Sequence, residues 1–336
     1  MSDGGRRRAA GLIGVWMAAL VLAVPPVSAA AGQSTTSATA TSAAAKQAAA
    51  AAARRKASRQ RAAAAAARAQ ADAEQPRFKT DENGVQVPDI RAEAAIVYDP
   101  QTGRVVWESN SQNQRSIASI TKLMTALVFL EGEPDLTRRV TVQPADVRSA
   151  STTYLRAGYT VTLNDLLHLT LVASDNAAAR ALARTSPPGS EGFIARMNER
   201  AAEMELTSTR YADPSGLLAT NVSSAFDIAR LIAYASNDER MAGVMREASY
   251  SFPVGRTTVE VRSTNQLLVK GDVDVQAGKT GFIRKAGYCL AALLRLPEGG
   301  PQVAVVVLGA ESSLLRFWEA RHLLNWVASQ VPALAE

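Results

Sequence analysis

Three features of this 336-residue chain predict an α+β (α/β) fold. Two strand-like runs lie near residue 94, a long helical stretch follows Gly132, and strand runs return before a last helix. That order closes one antiparallel sheet of about five strands, flanked by helices, with an all-helical insert between its two halves.

The first strand is Ala94-Ala95-Ile96-Val97-Tyr98. Asp99-Pro100-Gln101-Thr102-Gly103 is turn chemistry, and Arg104 to Glu108 is a second strand, so the two form a hairpin. A helix follows over residues 117–131. Leu123, Leu127 and Leu130 recur at helical spacing, and Met124 and Val128 widen the apolar face until the helix is apolar almost all round. Gly132 is expected to stop it in a left-handed conformation, and Pro134 forbids continuation.

The insert runs from Gly132 to about Met245. Thr162 and Asp165 open a helix as a capping box, and Ser174-Asp175-Asn176 breaks it. Pro187-Pro188-Gly189 stops the next segment, and Ser224 with Asp227 caps another. Strand patterns return at 257–262, 273–282, 287–296 and 302–308, and Ser312 caps a final helix. The folded domain is expected over 90–336.

Residues 1–29 read as a secretory signal peptide: Arg6, Arg7 and Arg8, an apolar run from Leu12 to Val24, then small residues at Val27-Ser28-Ala29. The run is short for a bilayer span. Export would place the mature protein in the periplasm, outside the inner membrane. Residues 30–89 form a low-complexity, Ala-rich basic spacer, partly helical but with no apolar stripe to pack. Such an arm could also touch anionic wall polymers or lipid headgroups. Residues 33–79 carry nine Lys/Arg against two Asp/Glu, whereas residues 80–336 carry 25 against 28. The net charge of +6 therefore belongs to the N-terminal segment, and nothing favours a nucleic-acid groove on the folded part.

Cys289 is the sole cysteine, so no internal disulfide supports the fold, and its apolar surroundings make it a buried thiol. The two histidines, His168 and His322, sit in leucine-rich helical patterns. A Ser-His-Asp triad and a metal centre are both unsupported, and no cofactor is expected.

The chemistry concentrates in Ser119-Ile120-Thr121-Lys122. On a helix, Ser119 and Lys122 share one face with Cβ atoms about 5–6 Å apart. A desolvated lysine loses pKa and becomes a neutral amine able to take a hydroxyl proton. Ser119 also falls at the helix start, where free N–H groups favour an oxyanion. Two more short motifs follow in order, Ser174-x-Asn176 and Lys279-Thr280-Gly281. Each alone is weak, since Ser174-Asp175-Asn176 could be only a helix cap. All three in this order, each at an element boundary, are specific.

The arrangement resembles the penicillin-recognising serine peptidases, in particular the low-molecular-mass D-alanyl-D-alanine peptidases. Ala118 to Thr125, Asp213-Pro214-Ser215-Gly216-Leu217 with Asn221-Val222-Ser223, and Gly278 to Phe282 with Ala286 to Cys289 carry the likeness, which covers about residues 90–330. It implies a β-lactamase/DD-peptidase-like fold without the C-terminal β domain and amphipathic anchor of many carboxypeptidases, closer to the single-domain endopeptidases.

The likeness also implies roles. Ser119 would attack the carbonyl after a D-alanine with Lys122 as base, and Ser174 would pass the proton to the leaving amine. Asn176 would hold Lys122 and the substrate amide. Lys279 would keep the site electropositive, and Thr280 would bind the carboxylate beside the leaving nitrogen. Gly281 would leave the strand edge open to substrate, and the Ser119 and Phe282 backbone N–H groups would form the oxyanion hole. Peptidoglycan stem peptides and cross-links would be substrates, and β-lactams covalent inhibitors. Endopeptidase action on D-Ala–diaminopimelate cross-links is the leading expectation, with carboxypeptidase trimming of pentapeptide stems the alternative. A serine β-lactamase would need a deacylating carboxylate, for which Glu191, Glu199 and Glu203 are the nearest in sequence. A non-catalytic wall-binding module would not need all three motifs.

Overall fold

In this computed structural model, the structure describes residues 36–334. The signal peptide expected at 1–29 lies outside the described residues. Contacts divide the chain into two compact units between residues 65 and 66. Helix α1 (Thr36–Glu74) is rich in alanine and arginine, both strong helix formers. Every residue from 46 to 68 is exposed, so it is a helix with no core of its own.

Regular structure precedes Ile90. Strands β1 (Phe78–Thr80) and β2 (Gln86–Pro88) pair antiparallel, and Trp326 Nε1 donates to the Gln86 carbonyl at 3.3 Å. Strands of three residues are too short to display a period, and the hairpin left no pattern in the sequence.

The main sheet has the strand order β11-β12-β13-β3-β4, antiparallel throughout. Its first members are β3 (Ala94–Tyr98) and β4 (Val105–Ser109). β5 (Arg115–Ser116) leads to a 3₁₀ turn, Ala118–Thr121, and then to helix α2 (Lys122–Glu131). The insert holds β6 (Arg139–Thr141), α3 (Pro144–Val147), β7 (Thr160–Thr162), α4 (Leu163–Leu171), α5 (Asn176–Thr185), α6 (Gly189–Glu203), β8 (Val222–Ser223), α7 (Ala225–Ala235) and α8 (Glu239–Met245). β9 (Ser249–Val254), β10 (Thr257–Arg262) and α9 (Gln266–Lys270) lead back to the sheet through β11 (Asp274–Ile283), β12 (Gly287–Arg295) and β13 (Gln302–Ala310). Helix α10 (Leu315–Leu334) follows. The insert is helical apart from two- and three-residue strands, which pair as β6–β7 and β5–β8.

The apolar strands divide by parity. Ile96, Ala291, Ala304 and Val306 face the core beneath α2, α4, α5 and α7, while Val97, Leu290, Val305 and Val307 face Phe317, Leu323 and Leu324 of α10. Successive side chains point to opposite faces, and both faces are covered. Glu319 of α10 is buried and accepts from the Arg91 and Ala92 backbone N–H groups at 2.7 and 3.2 Å, which fixes the entry to β3. Burial pushes that carboxyl up to about 7.

Helix α2 is buried on every side except at Glu131. Its end differs from expectation: Gly132 has φ −76°, and Glu133 takes the left-handed conformation at φ 44°. Asp175 Oδ1 caps α5 by accepting from Ala178 N at 2.9 Å. Among the described residues no helix is long and apolar enough to cross a membrane.

The Thr162–Asp165 capping box closes in both directions, at 3.0 and 2.8 Å. Thr162→Ala should therefore cost about 1 kcal/mol and lower Tm by roughly 2–4 °C. A thermal melt checks it, and an unchanged midpoint would deny the cap a role.

Candidate active site

The 3₁₀ turn before α2 is under strain. Ala118, just before Ser119, has φ 48°, a left-handed conformation that side-chain-bearing residues avoid. The turn is held from two sides. An added Cβ at Gly281 of β11 would come within 2.8 Å of the Ile117 carbonyl and 3.1 Å of Ser119 N. At Gly216, which has φ 81°, it would lie 2.0 Å from the Ala118 carbonyl oxygen and 2.9 Å from Ser119 N. Gly281 is thus needed for close packing of strand on turn, which differs from the expected clearance for substrate.

Lys122 is fully buried, yet its Nζ meets no carboxylate. It lies 2.9 Å from Ser119 Oγ and 2.6 Å from both Asn176 Oδ1 and the Ser215 carbonyl. Burial lowers its pKa to about 7, although Asp175 and Asp213 pull the other way. A neutral amine has two N–H donors and one lone pair. Asn176 Oδ1 and the Ser215 carbonyl can only accept, so they take both donors, and the lone pair falls to the Ser119 hydroxyl.

Each partner is locked in turn. Asn176 donates one amide N–H to the Ala150 carbonyl at 2.6 Å. Its other amide hydrogen has no partner among the described residues and remains for a ligand. Asp175 Oδ2 accepts from Tyr154 N at 2.6 Å and Thr153 Oγ1 at 3.0 Å, pinning the loop that forms one wall. Asp213 accepts from Ser215 N at 2.9 Å and Leu218 N at 3.1 Å, and also from Ser215 Oγ and Asn221 Nδ2. Burial raises the Asp213 carboxyl, but these bonds outweigh it and hold it low.

Ser174 has φ 58°, and its Oγ accepts from Lys279 Nζ at 2.8 Å. Lys279 also donates to the Thr280 carbonyl at 2.9 Å and is buried without a carboxylate. Burial first, then the charges of Lys122 and Arg316, drive its pKa well below the usual ammonium value. Thr280 Oγ1 donates to Thr264 Oγ1 at 2.6 Å.

All eight predicted site residues converge. Ser119, Ser174, Asn176, Thr280, Gly281 and Phe282 line one cleft of about 410 Å³, with Lys122 and Lys279 bonded beneath two of them. β11 is an edge strand of the sheet, so one side of its backbone is free to face the cleft. Sequence reasoning missed Thr264, the Ser215 carbonyl and Arg316. Arg316 lines the cleft, donates from Nη1 to the Gly281 carbonyl at 3.1 Å and lies 5.5 Å from the Tyr288 ring centroid. Among the described residues no Asp or Glu lines the cleft. Glu199 and Glu203 pair instead with Arg196 on α6, and Glu191 is exposed on the same helix.

The two histidines stay outside. His168 Nδ1 lies 2.8 Å from the Asn164 carbonyl, and its ring stacks on Tyr250. Cys289 is buried, which pushes its thiol pKa up.

The family described as D-alanyl-D-alanine carboxypeptidase (peptidase S11) matches residues 81–312. A D-alanyl-D-alanine endopeptidase of Escherichia coli is 33% identical over 257 residues, which is 74% of this chain and 82% of that protein. The D-alanyl-D-alanine carboxypeptidase DacC of E. coli is 32% identical over 73% of this chain and 63% of its own length. Among solved structures, a D-alanyl-D-alanine carboxypeptidase from Mycobacterium tuberculosis is 26% identical, with a TM-score of 0.67 over 76% of this chain and 96% of that one. The chain belongs to this family of low-molecular-mass penicillin-binding proteins, and it is a serine-type D-Ala–D-Ala peptidase.

Proposed function

We propose that the protein is a periplasmic D-alanyl-D-alanine endopeptidase that cuts D-Ala–diaminopimelate cross-links of peptidoglycan through an acyl-enzyme on Ser119. The observation that carries the chemistry is the hydrogen-bond count at Lys122. Both N–H donors of the neutral amine are taken by oxygens that cannot donate, so the lone pair is directed to Ser119 Oγ.

In this reading Ser119 Oγ bonds to the D-alanine carbonyl carbon while its proton passes to Lys122 Nζ. The oxyanion is met by the Ser119 and Phe282 backbone N–H groups. When the C–N bond breaks, Ser174 gives its proton to the leaving nitrogen and is resupplied from the buried amines. Water then frees the acyl group. Thr280, with Thr264 behind it and Arg316 in the same wall, takes the carboxylate beside the leaving nitrogen. Asn176 spends its remaining amide hydrogen on the substrate backbone. The same carboxylate stands beside the scissile nitrogen in a terminal D-Ala–D-Ala and in the cross-link, so carboxypeptidase trimming is the second reading. The endopeptidase reading is supported by relatives of that name at 31–33% identity. A fast β-lactamase is disfavoured, because among the described residues no carboxylate lines the cleft to drive deacylation. Residues 1–29 would serve as signal peptide and the basic spacer, expected over 30–89, would touch wall or membrane surfaces, with its last part, the β1–β2 hairpin bonded to α10 at Gln86, joining the peptidase domain expected over 90–336.

Digestion of purified cross-linked muropeptide dimers, read by mass, tests this reading. Wild-type protein should yield monomers and Ser119→Ala none, with labelling by fluorescent penicillin lost in parallel. Persistent labelling of Ser119→Ala would refute the nucleophile.

The acylation rate should rise with pH through about 7 and level off above it, because Lys122 acts only as the neutral amine. Lys122→Ala should abolish that limb and slow acylation by orders of magnitude; stopped-flow measurement across pH checks both. Gly216→Ala should push on Ala118 and Ser119, cutting acylation about tenfold or more while far-UV circular dichroism stays native. An unchanged rate would mean the turn gives way freely.

A further inference from the structure

A second recess, of about 680 Å³, shares no lining residue with the catalytic cleft. It opens where the helix-facing side of the sheet meets the ends of α6 and α7. Alternate residues of a strand share a face. Ala304, Val306 and Leu308 of β13, with Ala94 and Ile96 of β3, face the helices as apolar core. The same two registers end in Gln302 and Tyr98, which are half-buried and line the recess. The core therefore stops at a polar floor. Arg230 and Tyr234 of α7, Asn237 just beyond it and Gln101 of the β3–β4 turn supply the walls.

Polar side chains at strand ends are commonly no more than a solvated rim. Three observations set this recess apart. The Tyr98 hydroxyl and the side-chain amides of Gln101, Asn237 and Gln302 converge on it from separate segments, and none has a hydrogen-bond partner among the described residues. The charges of the lining balance, Arg200 and Arg230 against Glu203 and Glu205. Arg200 is held by Glu203 at 3.0 Å and Glu131 at 2.6 Å, and Arg230 Nη1 donates to the Glu205 carbonyl at 3.0 Å. A phosphate or carboxylate would meet no net positive field here, so the lining suits an uncharged polar ligand. Finally, Tyr234 is 45% exposed, while Arg200 lies 5.1 Å from its ring centroid and donates to its hydroxyl at 2.6 Å. That fixes the ring and leaves it a flat apolar face for a ligand.

A molecule with a flat C–H face, and with hydroxyl and amide groups that both donate and accept, meets all three conditions. This is the chemistry of an N-acetylated amino sugar, and the volume falls within the roughly 300–1,000 Å³ of small-ligand sites. We infer that the recess is a second, non-catalytic binding site, for the amino-sugar strand of peptidoglycan. A sugar ring lies on Tyr234, and its hydroxyl and acetamido groups bond to Gln101, Asn237, Gln302 and the Tyr98 hydroxyl. The stem peptides are joined to that strand, so a protein held there stays on its polymer between cuts. The choice of polymer rests on the peptidase reading above.

The test measures binding of an N-acetylglucosamine tetrasaccharide to the full chain by calorimetric titration. The probe is uncharged, so the basic helix α1 has no charge on it to hold. Tyr234→Ala and Gln302→Ala should each weaken binding about tenfold, and Tyr234→Phe, which keeps the ring, should retain it. Tyr234→Ala should also slow the release of fragments from intact cross-linked wall by about fivefold or more, while glycan-free cross-linked peptide dimers and penicillin acylation proceed at the wild-type rate. If the tetrasaccharide does not bind, or binds the two alanine variants as well as wild type, the site is overturned and the peptidase reading stands. If binding is lost in both variants but wild type cuts neither intact wall nor dimers, the sugar site stands and the peptidase reading fails.

Discussion

An amine shut away from water without a carboxylate governs the site. Lys122 is surrounded by a hydroxyl, an amide oxygen and a peptide carbonyl, three neutral oxygens from three separate elements. A pKa near 7 means that the charged form is disfavoured by on the order of 5 kcal/mol relative to water. That cost is sustained because α2 packs among α4, α5, α6 and α7, which keeps the Lys122 side chain fully buried. Were Asp175 or Asp213 to touch the amine directly, the proton would stay on it. Both carboxylates instead spend their oxygens on backbone N–H groups and neighbouring side chains. They stabilise the loops that deliver the neutral acceptors and leave the amine neutral.

The same demand for closeness explains the two glycines against the Ser119 turn. A strained residue such as Ala118 persists only where its surroundings over-determine it. Here β11 presses through Gly281 and the 213–221 turn presses through Gly216. The backbone of Ser119 is thereby fixed against a sheet edge, which is the geometry that aligning an oxyanion with a strand-like substrate requires.

Much of this was legible in the sequence, and for identifiable reasons. Ser119 and Lys122 meet because three residues is one turn, even though that turn is 3₁₀ before it becomes α. The strands of the main sheet were readable because β3, β12 and β13 are apolar runs bounded by turn residues. Asp175 as a cap, Cys289 as a buried thiol and the Thr162–Asp165 box follow from local chemistry alone. What was hidden has no residue-type signature. The acceptor at Ser215 is a backbone carbonyl that any residue could supply, and Arg316 reaches the cleft from a helix nearly two hundred residues beyond Ser119. Strands of two or three residues carry no period. The left-handed conformation after α2 passed from Gly132 to Glu133, immediately before Pro134, a position where proline already disfavours continued helix.

The second lysine changes how the site's charge should be understood. Lys122 and Lys279 are both dry, and the charge of the first depresses the second. The charge on each weakens the other's hold on a proton. Arg316 is different: even with its pKa lowered to about 10 by burial, it stays cationic at neutral pH. The guanidinium is thus a standing positive charge in the wall. A substrate carboxylate beside Thr280 would, on the proposed reading, raise the affinity of Lys279 for a proton. On the proposed reading, substrate binding then places a proton on Lys279, 2.8 Å from Ser174 Oγ, at the moment when a leaving nitrogen needs one. The nucleophile side of the cleft begins with a neutral amine able to take a proton. In the same proposed reading, the leaving-group side would hold its proton more firmly once the ligand that consumes it is bound.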